Sequence, residues 1–64
     1  MTLLELIHSR GMTVSDLANV AGVNKRSIEQ YSYGRYPLRN ARAWMAVELA
    51  DALGITVREL IELE

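Results

Sequence analysis

Apolar residues recur along this chain at the three- and four-residue spacings of amphipathic helices. Leu17, Ala18 and Ala21 fall on one helical face, and Ile28 and Tyr31, three positions apart, fall on another. The sequence has no run of alternating apolar and polar residues bounded by turn residues, which would be typical of a strand. The pattern therefore predicts an all-α fold.

Capping residues divide this pattern into five predicted helices. A Thr followed three residues later by an acid is the capping-box pattern, and it predicts a helix start at Thr2, Thr13 and Thr56. The acid after Thr13 is the shorter Asp16, and Asn24 is a good N-cap for a further helix. The five helices are expected over about residues 3–10, 14–21, 25–33, 40–53 and 57–63.

A sharp turn is predicted between the second and third helices. Gly22 can adopt a positive φ at no steric cost, and Val23 supplies an apolar side chain to the core. Ala18 is small at a position where the two helices must approach each other closely. This is the spacing of a helix-turn-helix, a unit that usually places its second helix in the major groove of DNA.

The remaining apolar positions predict the core. Tyr31 shares a helical face with Ile28, so we expect it to pack in the core rather than stack on bases. The core residues predicted for the last two helices are apolar side chains at helical spacing: Ala43, Trp44, Val47, Ala50, Leu53, Val57, Leu60 and Ile61.

The length allows one domain, expected to span residues 1–64, with one small core. A chain of this size buries only about 60% of the surface that its unfolded form exposes, so its stability should be marginal. Half of the residues are hydrophobic, which places the chain among globular proteins. The sequence shows neither a signal peptide nor an apolar run approaching the ~18 residues of a membrane span. We therefore expect a cytoplasmic protein with no membrane partner and no small-molecule ligand. A chain ending at Glu64 is expected to carry no sensor domain, and the alternative is that the sequence is a piece of a longer protein.

Catalytic chemistry finds no support in the sequence. The chain has no cysteine, and its single histidine, His8, has no Cys or second His with which to hold a metal. Nothing orders His8, Ser9 and the aspartates around a pocket. We expect a protein that is not an enzyme and that uses neither a metal nor a cofactor.

The charges are distributed unevenly. The chain has a net charge of −1, yet residues 24–42 carry five cations against the single acid Glu29, a local balance of +4. These cations are Lys25, Arg26, Arg35, Arg39 and Arg42. The asymmetry favours one face built for a polyanion, and the alternative is an unevenly charged surface that only meets solvent.

In sequence, the chain resembles the Cro/CI-type helix-turn-helix family of phage repressors and bacterial regulators over nearly its whole length. The matching elements are Gly11-Met12-Thr13, Leu17-Ala18, Gly22-Val23, Ser27-Ile28-Glu29-Gln30, Gly34 and Ala50-x-x-Leu53-Gly54-Ile55. The resemblance implies a compact five-helix, lambda-repressor-like domain whose second and third helices form the helix-turn-helix. It also implies sequence-specific binding of double-stranded DNA, repressor-like regulation of transcription, and a homodimer on paired half-sites.

The resemblance also implies which residues face the bases. Lys25, Arg26 and Gln30 are expected to contact base edges, since Arg and Lys can donate to guanine O6 and N7 and Gln can pair with adenine. Three further residues are candidates for base or phosphate contacts: Asn24, Ser27 and Glu29. Of these, Glu29 could accept from cytosine N4 or simply repel the backbone.

Contacts to phosphates are expected from the segment after the third helix. In the family, the loop that holds Arg35 and Arg39 follows the phosphate backbone. Arg42 belongs to the same basic cluster, and the hydroxyl of Tyr36 could donate to a phosphate.

Three departures from the family pattern leave a second function open. Val14 stands where the family usually has a phosphate-binding Gln, and Ile7 and Ser32 replace an Arg–Glu pair. Leucines such as Leu4 and Leu63 could remain for a partner. The alternative to DNA binding is therefore a protein-interaction module on the same scaffold.

Overall fold

Five α-helices follow one another along residues 2–33 and 37–63, the part of the chain that the computed structural model describes. They are α1 (Leu3–Ser9), α2 (Val14–Ala21), α3 (Lys25–Ser32), α4 (Ala43–Leu53) and α5 (Val57–Ile61). A short 3₁₀ helix, Leu38–Asn40, precedes α4. Within the described residues the fold is all-helical, as predicted.

The three predicted capping boxes are present and fix the starts of α1, α2 and α5. In each, the Thr hydroxyl accepts from a backbone N–H three residues later, and the acid accepts from the backbone N–H of the Thr. The shorter Asp16 also closes its box, because its Oδ2 lies 3.0 Å from the Thr13 nitrogen. In α1, the Thr2 backbone N–H donates to Glu5 Oε1 at 2.8 Å, and this bond lowers the pKa of Glu5 below its ordinary value.

The turn between α2 and α3 has the predicted geometry. Gly22 adopts φ 69° and ψ 30°, the left-handed region in which a Cβ is unfavourable. Its N–H and that of Val23 both donate to the Ala18 carbonyl, at 2.9 and 3.1 Å, so this carbonyl in the last turn of α2 is satisfied. Val23 is buried, which confirms its role as the apolar residue of the turn.

One core joins the helices. α4 packs against both α2 and α5, and α2 packs against α3, so α4 lies behind the helix-turn-helix. The side chains buried most completely come one from each of the five helices: Ile7, Leu17, Ile28, Leu49 and Leu60. Tyr31 is half-buried against this core, as expected. The core therefore packs against the side of α3 that carries Ile28, and the opposite side of the helix faces solvent.

The prediction for α4 was wrong in both its start and its buried face. The helix begins at Ala43 rather than near residue 40, because Arg42 has an extended backbone at ψ 142°. Trp44 and Val47, predicted in the core, are 53% and 44% exposed, and Ala43 is also exposed. Ala50 and Leu53 are buried as predicted, and the rest of the buried face is Met45, Ala46 and Leu49, which were not predicted. Only two residues of this helix are polar, so its periodicity did not separate two overlapping apolar stripes.

The ends of α1 and α5 differ slightly from the prediction. α1 ends one residue early, at Ser9, and α5 ends at Ile61 rather than near residue 63. Differences of this size are ordinary, because terminal turns tighten or fray. Val57, predicted in the core, is 38% exposed at the start of α5, while Leu60 is fully buried as expected.

Candidate nucleic-acid interface

The outer face of α3 presents polar side chains that the fold does not use. Lys25 and Arg26 are exposed in the first turn, and Gln30 is half-buried one turn later. Within the described residues, these three side chains make no hydrogen bond or ion pair. Ile28 points the other way and is fully buried. The face is therefore held in place by the core while its donors remain available.

Arg26, Glu29, Gln30 and Tyr33 line a shallow depression of about 150 Å³ on this face. Their spacing, at i, i+3, i+4 and i+7, is that of one helical stripe. The depression brings together a guanidinium, a carboxylate, an amide and a phenol hydroxyl, so it offers both donors and acceptors to a ligand edge. Tyr33 was not predicted in the site, although its position seven residues after Arg26 is a signal that could have identified it; it is 63% exposed.

Asn24 is committed to the backbone of the helix. Its Oδ1 accepts from the Arg26 backbone N–H at 2.8 Å, which makes Asn24 the N-cap of α3. Only the amide NH₂ group is left to donate to a ligand. The second lone pair of Oδ1 can still accept a hydrogen bond without loss of the cap, so both roles predicted for Asn24 remain compatible with capping.

Ser27 and Glu29 are half-buried on α3. Glu29 makes no ion pair with Arg26 within the described residues, although the two lie one turn apart. Its carboxylate therefore remains an acceptor on the same face as the cations, where it would attract a donor such as cytosine N4 and repel a phosphate.

The predicted phosphate-binding residues fall on the segment that connects α3 to α4. Arg39 is exposed in the 3₁₀ helix, and Arg42 is exposed at the N-cap of α4. Arg35 and Tyr36 lie outside the described residues. Arg39 and Arg42 thus stay available to solvent.

Val14, at the start of α2, is an apolar residue at the position where the family usually has a phosphate-binding Gln. It is half-buried and packs against the core. The capping box at the start of α2 engages the Thr13 and Asp16 backbone N–H groups, which leaves the Val14 and Ser15 amides for a phosphate. The Asp16 carboxylate lies beside them and would oppose an anion there.

Ile7 and Ser32 replace the family's Arg–Glu pair without leaving a charge behind. Ile7 is completely buried in the core. The Ser32 Oγ is also buried and has no hydrogen-bond partner among the described residues. Among the residues that the structure describes, the hydroxyl at the end of α3 is therefore unsatisfied.

Two short helices joined by a left-handed glycine, with unpaired donors on the outer face of the second, define a helix-turn-helix protein. The family model described as a Cro/C1-type HTH DNA-binding domain matches residues 2–64. The chain belongs to this family, and its fold is that of a DNA-binding domain of transcription regulators. Comparisons with curated proteins and with solved structures found no match.

Two other kinds of site were sought in the described residues. No helix there combines the length and the apolar character that crossing a membrane requires. The same residues contain no group of three or more His, Cys, Asp or Glu side chains placed to hold a metal ion.

Proposed function

We propose that this chain binds a specific operator sequence in double-stranded DNA and acts as a transcriptional repressor, with α3 in the major groove. The observation that carries the proposal is the set of unpaired donors on the outer face of α3, in a chain of a DNA-binding family. A repressor of this kind acts by occupying its operator.

Arg26 and Gln30 are the residues we assign to base recognition, together with Lys25. Positions four apart on a helix are separated by about 6 Å along its axis, so the two side chains reach bases roughly two steps apart. Arg26 donates to guanine O6 and N7, and Gln30 pairs with adenine N6 and N7. Lys25, in the first turn, contacts the base or phosphate nearest the helix start.

Phosphate contacts flank this reading face. Arg39 and Arg42, with Arg35 and Tyr36, hold the backbone on one side of the groove. The free NH₂ of Asn24 and the hydroxyl of Ser27 donate at the start of α3. Such contacts orient the helix but carry no sequence information.

Selection from a random duplex pool at two salt concentrations tests the proposal. We expect an enriched consensus, and an affinity that falls with salt at a log–log slope of about −0.9 for each phosphate neutralised. The substitution Arg26→Ala should cost about 1–3 kcal/mol of binding free energy and relax the preference at one base pair.

Arg58→Ala is the matched control for Arg26→Ala. Arg58 is an exposed arginine on α5, outside residues 24–42. Its removal should change affinity far less than the removal of Arg26. Equal losses for the two variants, or a pool that yields no consensus, would contradict the proposal.

A protein-interaction module without DNA binding is the second candidate, favoured by the exposed Trp44 and Val47. Val14 and Leu63, which also suggested a protein partner, pack against the core instead. They therefore do not support this second candidate. A chain that binds a protein partner while the duplex selection fails would support this candidate over the first.

A further inference from the structure

The depression on the outer face of α3 is larger than hydrogen bonds to a base edge require. Arg26, Glu29, Gln30 and Tyr33 line about 150 Å³, several times the roughly 30 Å³ of a water molecule or of a methyl group of similar size. One wall is the aromatic ring of Tyr33. Space beside an aromatic ring is filled best by an apolar group, so the depression suits a ligand edge that carries a small apolar projection.

The fold holds Tyr33 at the end of α3 and leaves its side chain outward. Tyr33 is the C-cap of the helix, and its backbone N–H donates to the Glu29 carbonyl at 3.0 Å. Its side chain is 63% exposed, and its hydroxyl makes no hydrogen bond among the described residues. The ring is therefore an apolar surface at a fixed place beside the reading face.

The electrostatics at this end of α3 disfavour a phosphate. The C-terminus of a helix carries a partial negative charge, and the last turn of α3 contains no basic residue. Glu29, one turn before Tyr33, lines the same depression, so a phosphate held by the Tyr33 hydroxyl would meet a carboxylate. Tyr33 therefore suits the neutral edge of a base rather than the DNA backbone.

We propose that this depression receives the 5-methyl group of a pyrimidine, and that Tyr33 is a specificity-determining residue that contacts this methyl group. The inference rests on the proposed operator binding, in which α3 lies in the major groove. The methyl group of thymine projects into that groove, where apolar side chains such as Phe contact it. The ring of Tyr33 offers the same kind of surface, and 5-methylcytosine presents the same methyl group.

The spacing along α3 determines which base pair Tyr33 reads. Tyr33 follows Arg26 by seven residues and Gln30 by three, which are about 10.5 and 4.5 Å along the helix axis. Successive base pairs are about 3.4 Å apart. The methylated pyrimidine therefore lies about three base pairs from the one that Arg26 reads and about one beyond that of Gln30, so Tyr33 extends the sequence that α3 reads.

Two bases carry this methyl group, and the polar lining of the depression meets each differently. 5-Methylcytosine presents its N4 amine, which suits the Glu29 carboxylate as acceptor. Thymine presents O4, which suits the Gln30 amide NH₂ as donor. The contact with the Tyr33 ring is common to both bases.

Single-base replacements in the selected operator test the proposal. In a duplex with one half-site, each thymine is replaced in turn by uracil and each cytosine by 5-methylcytosine, so that only a methyl group is removed or added. At one position the methyl group should strengthen binding about threefold to fourfold, the effect of burying one methyl-sized group. A loss at a thymine identifies thymine as the base, and a gain at a cytosine identifies 5-methylcytosine.

Variants of Tyr33 show whether its ring produces this methyl effect. Tyr33→Ala should abolish the effect at that position, and Tyr33→Phe should retain it because the ring is kept. Trp44→Ala, which removes an exposed aromatic side chain from α4, is the control and should leave the effect unchanged. Thermal unfolding checks that each variant is folded. If Tyr33→Phe weakens binding equally with and without the methyl group, the hydroxyl contacts the backbone instead and the proposal is overturned.

Failure of this inference is distinguishable from failure of the proposed operator binding. A random pool that yields no consensus contradicts operator binding, and this inference with it. A clear consensus whose affinity is insensitive to every methyl group overturns this inference alone. A methyl effect that persists in Tyr33→Ala does the same.

Discussion

The outer faces of α3 and α4 differ in chemistry although one core supports both helices. The α3 face presents Lys25, Arg26 and Gln30, whose hydrogen-bonding groups have no partner within the described residues. The α4 face presents Trp44 and Val47, whose apolar side chains are about half exposed among the described residues. One core therefore supports a polar outer face on α3, which suits the proposed DNA partner, and an apolar outer face on α4.

This contrast also explains why the net charge alone is a poor guide. The acids lie mostly outside residues 24–42, and their sum hides the cations of the α3 side. Electrostatic attraction to DNA depends on the local field, which falls off within about 10 Å at moderate salt. A chain with net charge −1 can therefore still present a cationic face.

Substitution of two glycines, one beside α3 and one beside α4, can test the two regions separately. Gly22 and Gly54 both have left-handed φ, 69° and 72°, and an added Cβ at either would meet no atom within 4 Å. Gly22→Ala and Gly54→Ala should each cost about 1–2 kcal/mol of unfolding free energy, because only the backbone strain differs from wild type. Chemical denaturation measures these costs.

Binding to DNA should distinguish these two variants. Gly22 sets the angle between α2 and α3, whereas Gly54 follows α4. Measured where both variants are folded, DNA affinity should fall for Gly22→Ala and hold for Gly54→Ala. If both variants lose DNA affinity alike, the division between the two faces is not valid.

A smaller effect is expected at the end of α3. The Ser32 Oγ is buried and has no partner in residues 2–33 and 37–63, and such a group destabilises the folded state by roughly 1 kcal/mol or more. Ser32→Ala should therefore raise the unfolding free energy by about 1 kcal/mol and leave DNA affinity unchanged, because the reading face is untouched. Thermal unfolding measures the gain, and Ser15→Ala, at an exposed position of α2, is its control. A destabilised Ser32→Ala would show that the hydroxyl has a partner after all.

The smallest effect concerns α1, which contributes to neither face. The pKa of Glu5 is lowered by the Thr2 backbone N–H, so its ionised form stabilises the fold. This contribution is complete above the ordinary value of 4.5 and is lost as the pH falls through the lower folded pKa. In the Glu5→Gln variant, the free energy of unfolding should depend less steeply on pH below about 4.5 than it does in wild type. Acid unfolding monitored by circular dichroism measures this dependence. An unchanged curve would mean that the capping bond contributes nothing.

Local signals in the sequence were sufficient to predict where most of the helices begin and end. The capping boxes at Thr2, Thr13 and Thr56, and the glycine at position 22, each act over a few residues, so their geometry can be predicted without knowing what packs nearby. The face of α4 could not be predicted in this way. With Glu48 and Asp51 as its only polar residues, the choice between burying Trp44 or Met45 depends on how α2 and α5 fit against the helix.

The candidate site was predictable to a similar extent. Burial of Ile28 turns Lys25, Arg26 and Gln30 outward, and helical spacing alone implies this. The role of Asn24 as N-cap was also predicted, and the bond from the Arg26 N–H to its Oδ1 confirms it. The depression that Tyr33 shares with Arg26 was not predicted, because it depends on how far the helix extends and on which rotamers it allows.

Under the proposed operator binding, the cap formed by Asn24 limits how the base preference of this chain can change. The side chains of Lys25, Arg26 and Gln30 make no hydrogen bond or ion pair among the described residues, so their substitution should change stability little. Such substitutions can therefore change the proposed base preference. Asn24 cannot vary as freely, because only Ser, Thr and Asp offer a comparable acceptor to the helix start. Divergence in specificity should therefore proceed through positions 25, 26 and 30, with position 24 limited to a small set of residues.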